Sequence, residues 1–185
     1  MEFDKLVVSF LVDEIVGGFF ISVPPGHVAC IHDLGRGVLK KVKGPGLHLK
    51  IPFWQRAKLF NAQILEYTIT EGFDLSINKE SLGDTPIHAT TRNGENLVIT
   101  GSILFKIDKT NAPELWENIG EKFVSKVKRP ISRSKIASTV STLTFDQLKN
   151  ERPLIEKQLK EELNTEFHDK GLACEGLLLS EIKKV

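Results

Sequence analysis

Five histidines and two cysteines are the side chains of this chain best suited to metal binding or nucleophilic catalysis. No two histidines have the HExxH spacing that places both imidazoles on one face of a helix. His27 and His32 lie five residues apart in a β-rich run, so a strand would put them on opposite faces. We therefore expect no metal site and no bound cofactor. The histidines are His27, His32, His48, His88 and His168.

Cys30 and His32 fall on the same face of that predicted strand, an arrangement that could lower the pKa of the thiol. Both Cys30 and Cys174 nevertheless lie inside apolar runs, and free cysteine is among the most frequently buried residue types. We therefore expect two packed, unpaired thiols. No catalytic residue is predicted and the chain is interpreted as non-enzymatic, with a Cys30–His32 enzyme as the weakest alternative.

The segment GRGVLKKVKGPG is rich in glycine and lysine and superficially resembles a phosphate-binding loop. The segment lacks the GxxxxGK[ST] order and a following helix, so its glycines are better explained as turn residues. Its lysines could still contact an anionic lipid surface, at about 1 kcal/mol for each cation near a membrane. The net charge of +1 argues against nucleic acid as a partner. The predicted lipid-contacting cations are Lys40, Lys41 and Lys43.

The apolar N-terminal segment, residues 1–20, lies close to these lysines in the sequence. Its two apolar runs are split by Asp13 and Glu14, and neither approaches the roughly 20 residues that span a bilayer. Its flank is acidic where a signal peptide would be basic, so no signal peptide is predicted. Two interpretations stay open, a short helix and first strand packed on the sheet, or a shallow membrane anchor. The anchor would use Phe3, Phe10, Phe19 and Phe20.

A second basic cluster runs from Lys122 to Lys135 and includes Lys128. It could face the acidic side of the helix predicted near the C-terminus of a neighbouring copy. This hypothesis of self-association rests on charge complementarity alone, because a run of charges is usually a solvated face. The residues assigned to the contact are Lys126, Arg129, Arg133, Glu156 and Glu162.

Turn signals and short apolar runs make the first half of the chain β-rich. Proline and glycine turns separate predicted strands at Val28–His32, Val38–Val42 and Leu47–Ile51. Asn93-Gly94 joins Ile87–Arg92 to a long return strand, Glu95–Ile107, in which buried and polar residues alternate. Further strands are predicted at Gln63–Thr70 and Leu75–Ile77.

The second half changes to helical periodicity. Asn111 and Thr144 are predicted helix caps, and Pro130 should kink or split the helix in which it lies. An apolar residue at every fourth position from Ile155 to Phe167 marks the longest helix. The predicted segments are Ala112–Ile119, Lys122–Ser141, the turn FDQL, Glu151–Lys170, and a last strand Leu172–Ile182 bulged at Gly176. The expected fold is α+β: a β-meander or antiparallel sheet packed with C-terminal helices, then a final strand.

The order of these motifs resembles the SPFH or Band 7 superfamily of stomatins, prohibitins, flotillins and HflK/C. The resemblance rests on Pro25-Gly26, Leu34-Gly35-Arg36 and Gly44-Pro45-Gly46-Leu47-His48, then Ile51-Pro52-Phe53. It extends through the Asn93-Gly94 hairpin and the helices to the final strand. It implies one domain over 21–185, β-rich at 21–108 and helical with a last strand at 109–185.

The resemblance implies a membrane-associated scaffold that self-associates and organises membrane proteins such as a protease or a channel. The absence of an export signal and the unpaired thiols favour the cytoplasmic face of a membrane. Two departures limit the inference, namely the Asp13-Glu14 interruption and the lack of the long Ala/Glu-rich coiled coil found in many members. The alternative is a soluble adaptor that binds a protein partner and has no membrane role.

Overall fold

A computed structural model describes residues 18–72 and 82–185 of the chain. Within these residues, antiparallel sheets form the first half, helices follow, and a long strand returns to the sheet. This arrangement confirms the α+β fold class predicted above. The predicted strand Leu75–Ile77 and most of the apolar N-terminal segment lie outside the described residues.

Two small sheets form the N-terminal part of the fold. In one, the first strand pairs with the fourth, and in the other the second strand pairs with the third and the fifth. In these two sheets, therefore, only the second and third strands are both paired and consecutive in the chain. The strands are β1 Phe20–Val23, β2 His27–Asp33, β3 Gly37–Val38, β4 Gly46–Leu49 and β5 Gln55–Asn61.

The larger sheet carries most of the core. It has the order β10-β9-β6-β7, with β8 pairing to the other end of β9, and the pairing of β6 with β7 is parallel. The strands are β6 Leu65–Ile69, β7 Gly83–Asp84, β8 Ile87–Thr90, β9 Asn96–Ile107 and β10 Leu172–Lys184.

The β8–β9 hairpin and the alternation along β9 confirm the sequence prediction. Thr90 pairs with Asn96 across the turn, and Gly94 has a φ of +82°, which glycine adopts without strain. The inward side chains of β9 are almost fully buried, as a sheet with one packed face requires. They are Leu97, Ile99, Ile103, Phe105 and Ile107.

The helices follow in the predicted order, and the second predicted helix changes from a π-helical turn to an α-helix just before Pro130. A π-helical turn at Val124–Lys128 precedes an α-helix in which the proline occupies the first turn. Proline is tolerated there because its missing N–H would have no partner within the helix. The helices are α1 Ala112–Asn118, α2 Arg129–Thr142, α3 Phe145–Asn150 and α4 Arg152–His168.

One of the two predicted helix caps is correct. Thr144 accepts a hydrogen bond from the N–H of Gln147, whose side chain accepts one from the N–H of Thr144, forming a capping box. Asn111 makes no side-chain capping bond and donates instead to Asp108 at 3.0 Å. The Asn111 side chain therefore bonds to the carboxylate of Asp108 and does not cap the first turn of α1.

Helix α4 packs its apolar stripe on the sheet. Ile155, Leu159, Leu163 and Phe167 are all buried, and a register shift between Cys174 and Gly176 confirms the predicted bulge in β10. On the outer side of α4, Glu156 pairs with Arg152 one turn earlier, and Glu166 pairs with Lys135 of α2.

Candidate functional site

The sheet of β1 and β4 presents large apolar side chains to solvent. Phe20 lies opposite Leu49 in the register, and Ser22 lies opposite Leu47, so these four side chains share one face. Phe20, Leu47 and Leu49 are 42%, 68% and 67% exposed. This face of the sheet therefore has no apolar cover among the described residues.

The loop from β4 to β5 continues this apolar surface. Ile51 and Trp54 are about half exposed, and Phe53 is 91% exposed at the tip. The N–H of Leu34 donates to Trp54 O at 3.0 Å, and the N–H of Lys50 donates to Phe19 O at 2.8 Å, so neighbouring segments are held beside the loop. We refer to these residues together as the apolar surface: Phe19, Phe20, Leu34, Leu47, Leu49, Ile51, Phe53 and Trp54.

Phe53 is held in an unfavourable backbone conformation. Its φ of +63° lies in the left-handed region, which a bulky aromatic residue rarely adopts. The geometry keeps the ring outside the protein, where it gains no packing energy from the fold. An exposed apolar patch on this scale is typical of a surface that contacts a partner or a membrane.

The lysines predicted to contact lipid lie in the β3–β4 connection, in the same N-terminal part of the fold. Lys40 and Lys41 are exposed, and Lys43 is half-buried, with its backbone bonded to Ala29. None of the three has an ion-pair partner within residues 18–72 and 82–185.

The predicted aromatic anchors are only partly described. Phe19 and Phe20 are each about two-fifths exposed and belong to the apolar surface. Phe3 and Phe10 lie outside the described residues. The sequence interpretation did not predict the exposure of Leu47, Leu49, Ile51, Phe53 and Trp54, because apolar residues in or beside a strand usually pack against a core. The one available signal was the density of apolar residues around Gly46 and Pro52 in a segment dominated by turns.

Two of the cations assigned to self-association bind inside the chain. The carboxylate of buried Asp84 lies 3.3 Å from Arg129 Nε and 3.2 Å from Arg133 Nη1. The same two arginines donate to the carbonyl oxygens of Gly83 and Thr85. They join α2 to the segment around β7. Lys126 is exposed, with its amine bonded to Ile119 O at 3.0 Å.

The two glutamates assigned to self-association have different surroundings. Glu156 accepts the N–H of Leu179 at 2.7 Å and pairs with Arg152 at 3.3 Å, so it covers part of the outer edge of β10. Glu162 is half-buried and accepts a hydrogen bond from Gln158 on the same helix. Self-association through these residues stays a prediction.

Cys30 and His32 do not form a reactive pair. Cys30 is fully buried, and desolvation raises the pKa of its thiol to about 11. The ring of His32 packs edge-on against Trp116, with centroids 6.3 Å apart. Burial also raises the pKa of the Cys174 thiol. Both cysteines are free and buried, as predicted. Among the described residues, no three histidine, cysteine or acidic side chains form a group suited to a metal ion.

The chain was compared with known proteins. Residues 21–184 match the SPFH domain / Band 7 family. Prohibitin 1 of Gallus gallus is 26% identical over 168 residues, which is 91% of this chain and 56% of that protein. Prohibitin-3, mitochondrial, of Arabidopsis thaliana is 24% identical over 87% of this chain and 52% of its own length. Prohibitin-1 of Saccharomyces cerevisiae is 20% identical over 86% and 50%.

The chain thus spans about half the length of the curated relatives it matches. In the part of the chain that the structure describes, no helix is both long and apolar enough to cross a bilayer. The family match extends from the end of the apolar N-terminal segment through β10 and includes most of the apolar surface, the basic segments and the helices. This chain belongs to the SPFH domain / Band 7 family, which groups scaffold proteins of the prohibitin and stomatin type.

Proposed function

We propose that this domain docks on a lipid bilayer through the apolar surface and acts there as a non-enzymatic scaffold. The observation that carries the proposal is the group of large apolar side chains held outside the core, above all Phe53 at the tip of the β4–β5 loop. Membership of a family of membrane-associated scaffolds supports the same conclusion.

Physical chemistry favours a bilayer as the partner of the apolar surface. Aromatic rings such as Phe53 and Trp54 are suited to the boundary between headgroups and acyl chains. Lys40, Lys41 and Lys43 would add about 1 kcal/mol each on an anionic leaflet. Apolar anchors and a nearby basic patch are the two signals that stable peripheral binding commonly combines. The free thiols favour the cytoplasm-facing leaflet.

Flotation of the whole chain with vesicles tests the proposal. We expect it to float with vesicles containing about one-third anionic lipid and to float less with neutral vesicles. A double variant, Phe53→Ser with Trp54→Ser, should lose flotation on both. Reversal of Lys40, Lys41 and Lys43 to glutamate should abolish the preference for anionic vesicles.

Matched control variants test whether flotation depends on these particular residues or on the number of exposed apolar and basic side chains in general. Leu154→Ser removes an apolar side chain that is 64% exposed on α4, outside the apolar surface. Reversal of Lys149, Lys157 and Lys170 changes the same number of exposed charges elsewhere. Both controls should float like the unaltered chain. If the unaltered chain does not float, membrane docking is refuted and the protein-binding adaptor takes its place.

We further propose that the domain self-associates, as a scaffold requires, and organises membrane proteins such as a protease or a channel. Lys126 and Glu162 are the predicted contact residues with the least involvement in the fold. Lys126→Glu and Glu162→Lys should each lower the mass measured by light scattering, and the double variant should restore it. A mass that is unaffected by both single variants would remove this contact, and Lys149→Glu is the control.

A further inference from the structure

Asp33 carries a buried carboxylate that no function proposed above uses. It is the last residue of β2 and is 1% exposed, although aspartate is almost never buried without partners. Its two oxygens accept hydrogen bonds from the N–H of Gly35 at 3.0 Å and from Gln55 Nε2 at 2.9 Å. The bond from Gln55 holds the pKa of this carboxyl below its usual range, so the group is ionised at neutral pH. The carboxylate therefore joins the turn after β2 to the first residue of β5.

Gln55 also closes the β4–β5 loop with its own side chain. Its Oε1 accepts the N–H of Ile51 at 3.0 Å, and its backbone N–H donates to Ile51 O at 2.8 Å. The loop tip at 52–54 is therefore bonded at both of its ends. Because one amide group reaches both Asp33 and Ile51, the same side chain fastens the closed loop to β2.

The loop tip needs such support because its backbone is strained. The N–H of Trp54 donates to Pro52 O at 2.7 Å, the hydrogen bond of a γ-turn, and the central residue, Phe53, has a φ of +63°. Strained conformations persist only where the surrounding structure fixes them. Trp54 is held on the turn after β2, since its carbonyl oxygen accepts the N–H of Leu34 and its ring lies where a side chain at Gly35 would contact it.

We propose that Asp33 and Gln55 are positioning residues of the apolar surface: their hydrogen bond holds the β4–β5 loop in the conformation that presents Phe53 and Trp54 to a membrane. The inference rests on the membrane docking proposed above. A loop that is already ordered loses little conformational entropy on binding, so a fixed tip binds more tightly than a loose one of the same composition. Asp33 acts from inside the fold and does not touch lipid.

An exchange of the two side-chain types tests this pair. Asp33→Asn leaves one hydrogen bond unmade however the two amides are turned, and Gln55→Glu sets two carboxylates against each other. The double variant, Asp33→Asn with Gln55→Glu, exchanges donor and acceptor. The new amide then donates to the new carboxylate, whose second oxygen accepts the N–H of Ile51. Shape and net charge match the unaltered chain, so the double variant should restore the loop.

Hydrogen exchange of the whole chain without vesicles measures the order of the loop. Protection of the Leu34 and Ile51 amides should fall about tenfold in each single variant and recover in the double variant. Protection at 159–163 in α4 should stay unchanged, because the fold itself is retained. A loss of protection there would contradict a role confined to the loop.

Flotation with vesicles containing about one-third anionic lipid should follow the same order. The fraction of chain bound should fall in both single variants and recover in the double variant. Gln158→Glu is the matched control: Gln158 donates to Glu162 on α4 at 2.9 Å, so this change also sets two carboxylates together, outside the apolar surface. It should alter neither loop protection nor flotation.

Three results would overturn the positioning role. The single variants could float like the unaltered chain, they could lose flotation while the Leu34 and Ile51 amides stay protected, or the double variant could recover neither property. Failure of the unaltered chain to float is a different result, because it refutes membrane docking and the positioning role with it. Exchange at Leu34 and Ile51 would then still show whether the Asp33–Gln55 bond orders the loop.

Discussion

Tyr67 donates its hydroxyl hydrogen to the carboxylate of Asp84, with Oη and Oδ2 2.5 Å apart inside the protein. Asp84 belongs to the two-residue strand β7, which pairs with the end of β6 two residues beyond Tyr67. The same carboxylate is bound by Arg129 and Arg133 of α2. One buried anion thus links the larger sheet to the helices.

Removal of this anion should destabilise the fold strongly. Asp84→Asn keeps the shape of the side chain but removes the buried negative charge that Arg129 and Arg133 contact, and breaking a buried pair in this way costs about 3–5 kcal/mol. Urea unfolding should therefore show a midpoint shifted well below that of the unaltered chain. Glu121→Gln breaks an exposed pair with Lys58 and should cost under about 1 kcal/mol. A similar loss in the free energy of unfolding for Asp84→Asn and Glu121→Gln would contradict a structural role for the Asp84 carboxylate.

Glu156 should contribute more to the free energy of unfolding than its ion pair with Arg152 alone would suggest. Glu156→Ala leaves the N–H of Leu179 without its acceptor and removes the partner of Arg152, at a cost of about 1–3 kcal/mol. Glu162→Ala, on the same helix, loses a single exposed bond from Gln158 and should change the free energy of unfolding little. Thermal or urea unfolding of the two variants gives the comparison, and equal effects would argue against a role in covering β10.

Phe53 should stabilise membrane binding at the expense of the fold. Phe53→Gly relieves a φ of +63° that costs a non-glycine residue about 1 kcal/mol, so the free energy of unfolding should rise by roughly that amount. The same variant should bind vesicles more weakly. Trp54→Gly removes a neighbouring ring at an ordinary φ and should weaken binding without stabilising the fold. Unfolding and flotation measured on the same samples test both parts.

The Cys30 thiol should react slowly with alkylating agents in the native protein. It is fully buried and its pKa is raised to about 11, so little thiolate is present at neutral pH. Iodoacetamide labelling should be much faster in urea, where the thiol regains its ordinary pKa. Native labelling at the unfolded rate would mean that β2 opens readily, and would revive the enzymatic interpretation.

Local sequence determined much of this fold. The alternation along β9, the four-residue stripe of α4 and the Thr144 capping box are each set by residues within one element. The change from a π-helical turn to an α-helix falls next to Pro130, which has no N–H to donate to the preceding turn. The order of the turn motifs also resembled one family, which the match over residues 21–184 confirmed.

Other elements were decided by distant partners. Strand β5 was not predicted, because Phe60 is its one buried residue, and the strand forms by pairing with β2. The strand predicted at Val38–Val42 ends at Val38. Beyond it the N–H of Leu39 donates to Ile31 O of β2, and Lys43 exchanges backbone hydrogen bonds with Ala29. Strand formation in both cases depends on the partner edge.

In the candidate site too, some features follow from the local sequence and others depend on residues distant in the chain. The sequence supplied the lysines and the aromatic residues, since composition and proximity along the chain are local properties. It grouped Lys128 with a basic cluster, whereas that residue lies buried at the end of the π-helical turn. It could not show that Arg129 and Arg133 reach Asp84, more than forty residues earlier. Burial and ion pairing are set by what surrounds a side chain in space, so tertiary structure alone decided which charges and apolar residues stay available to a partner.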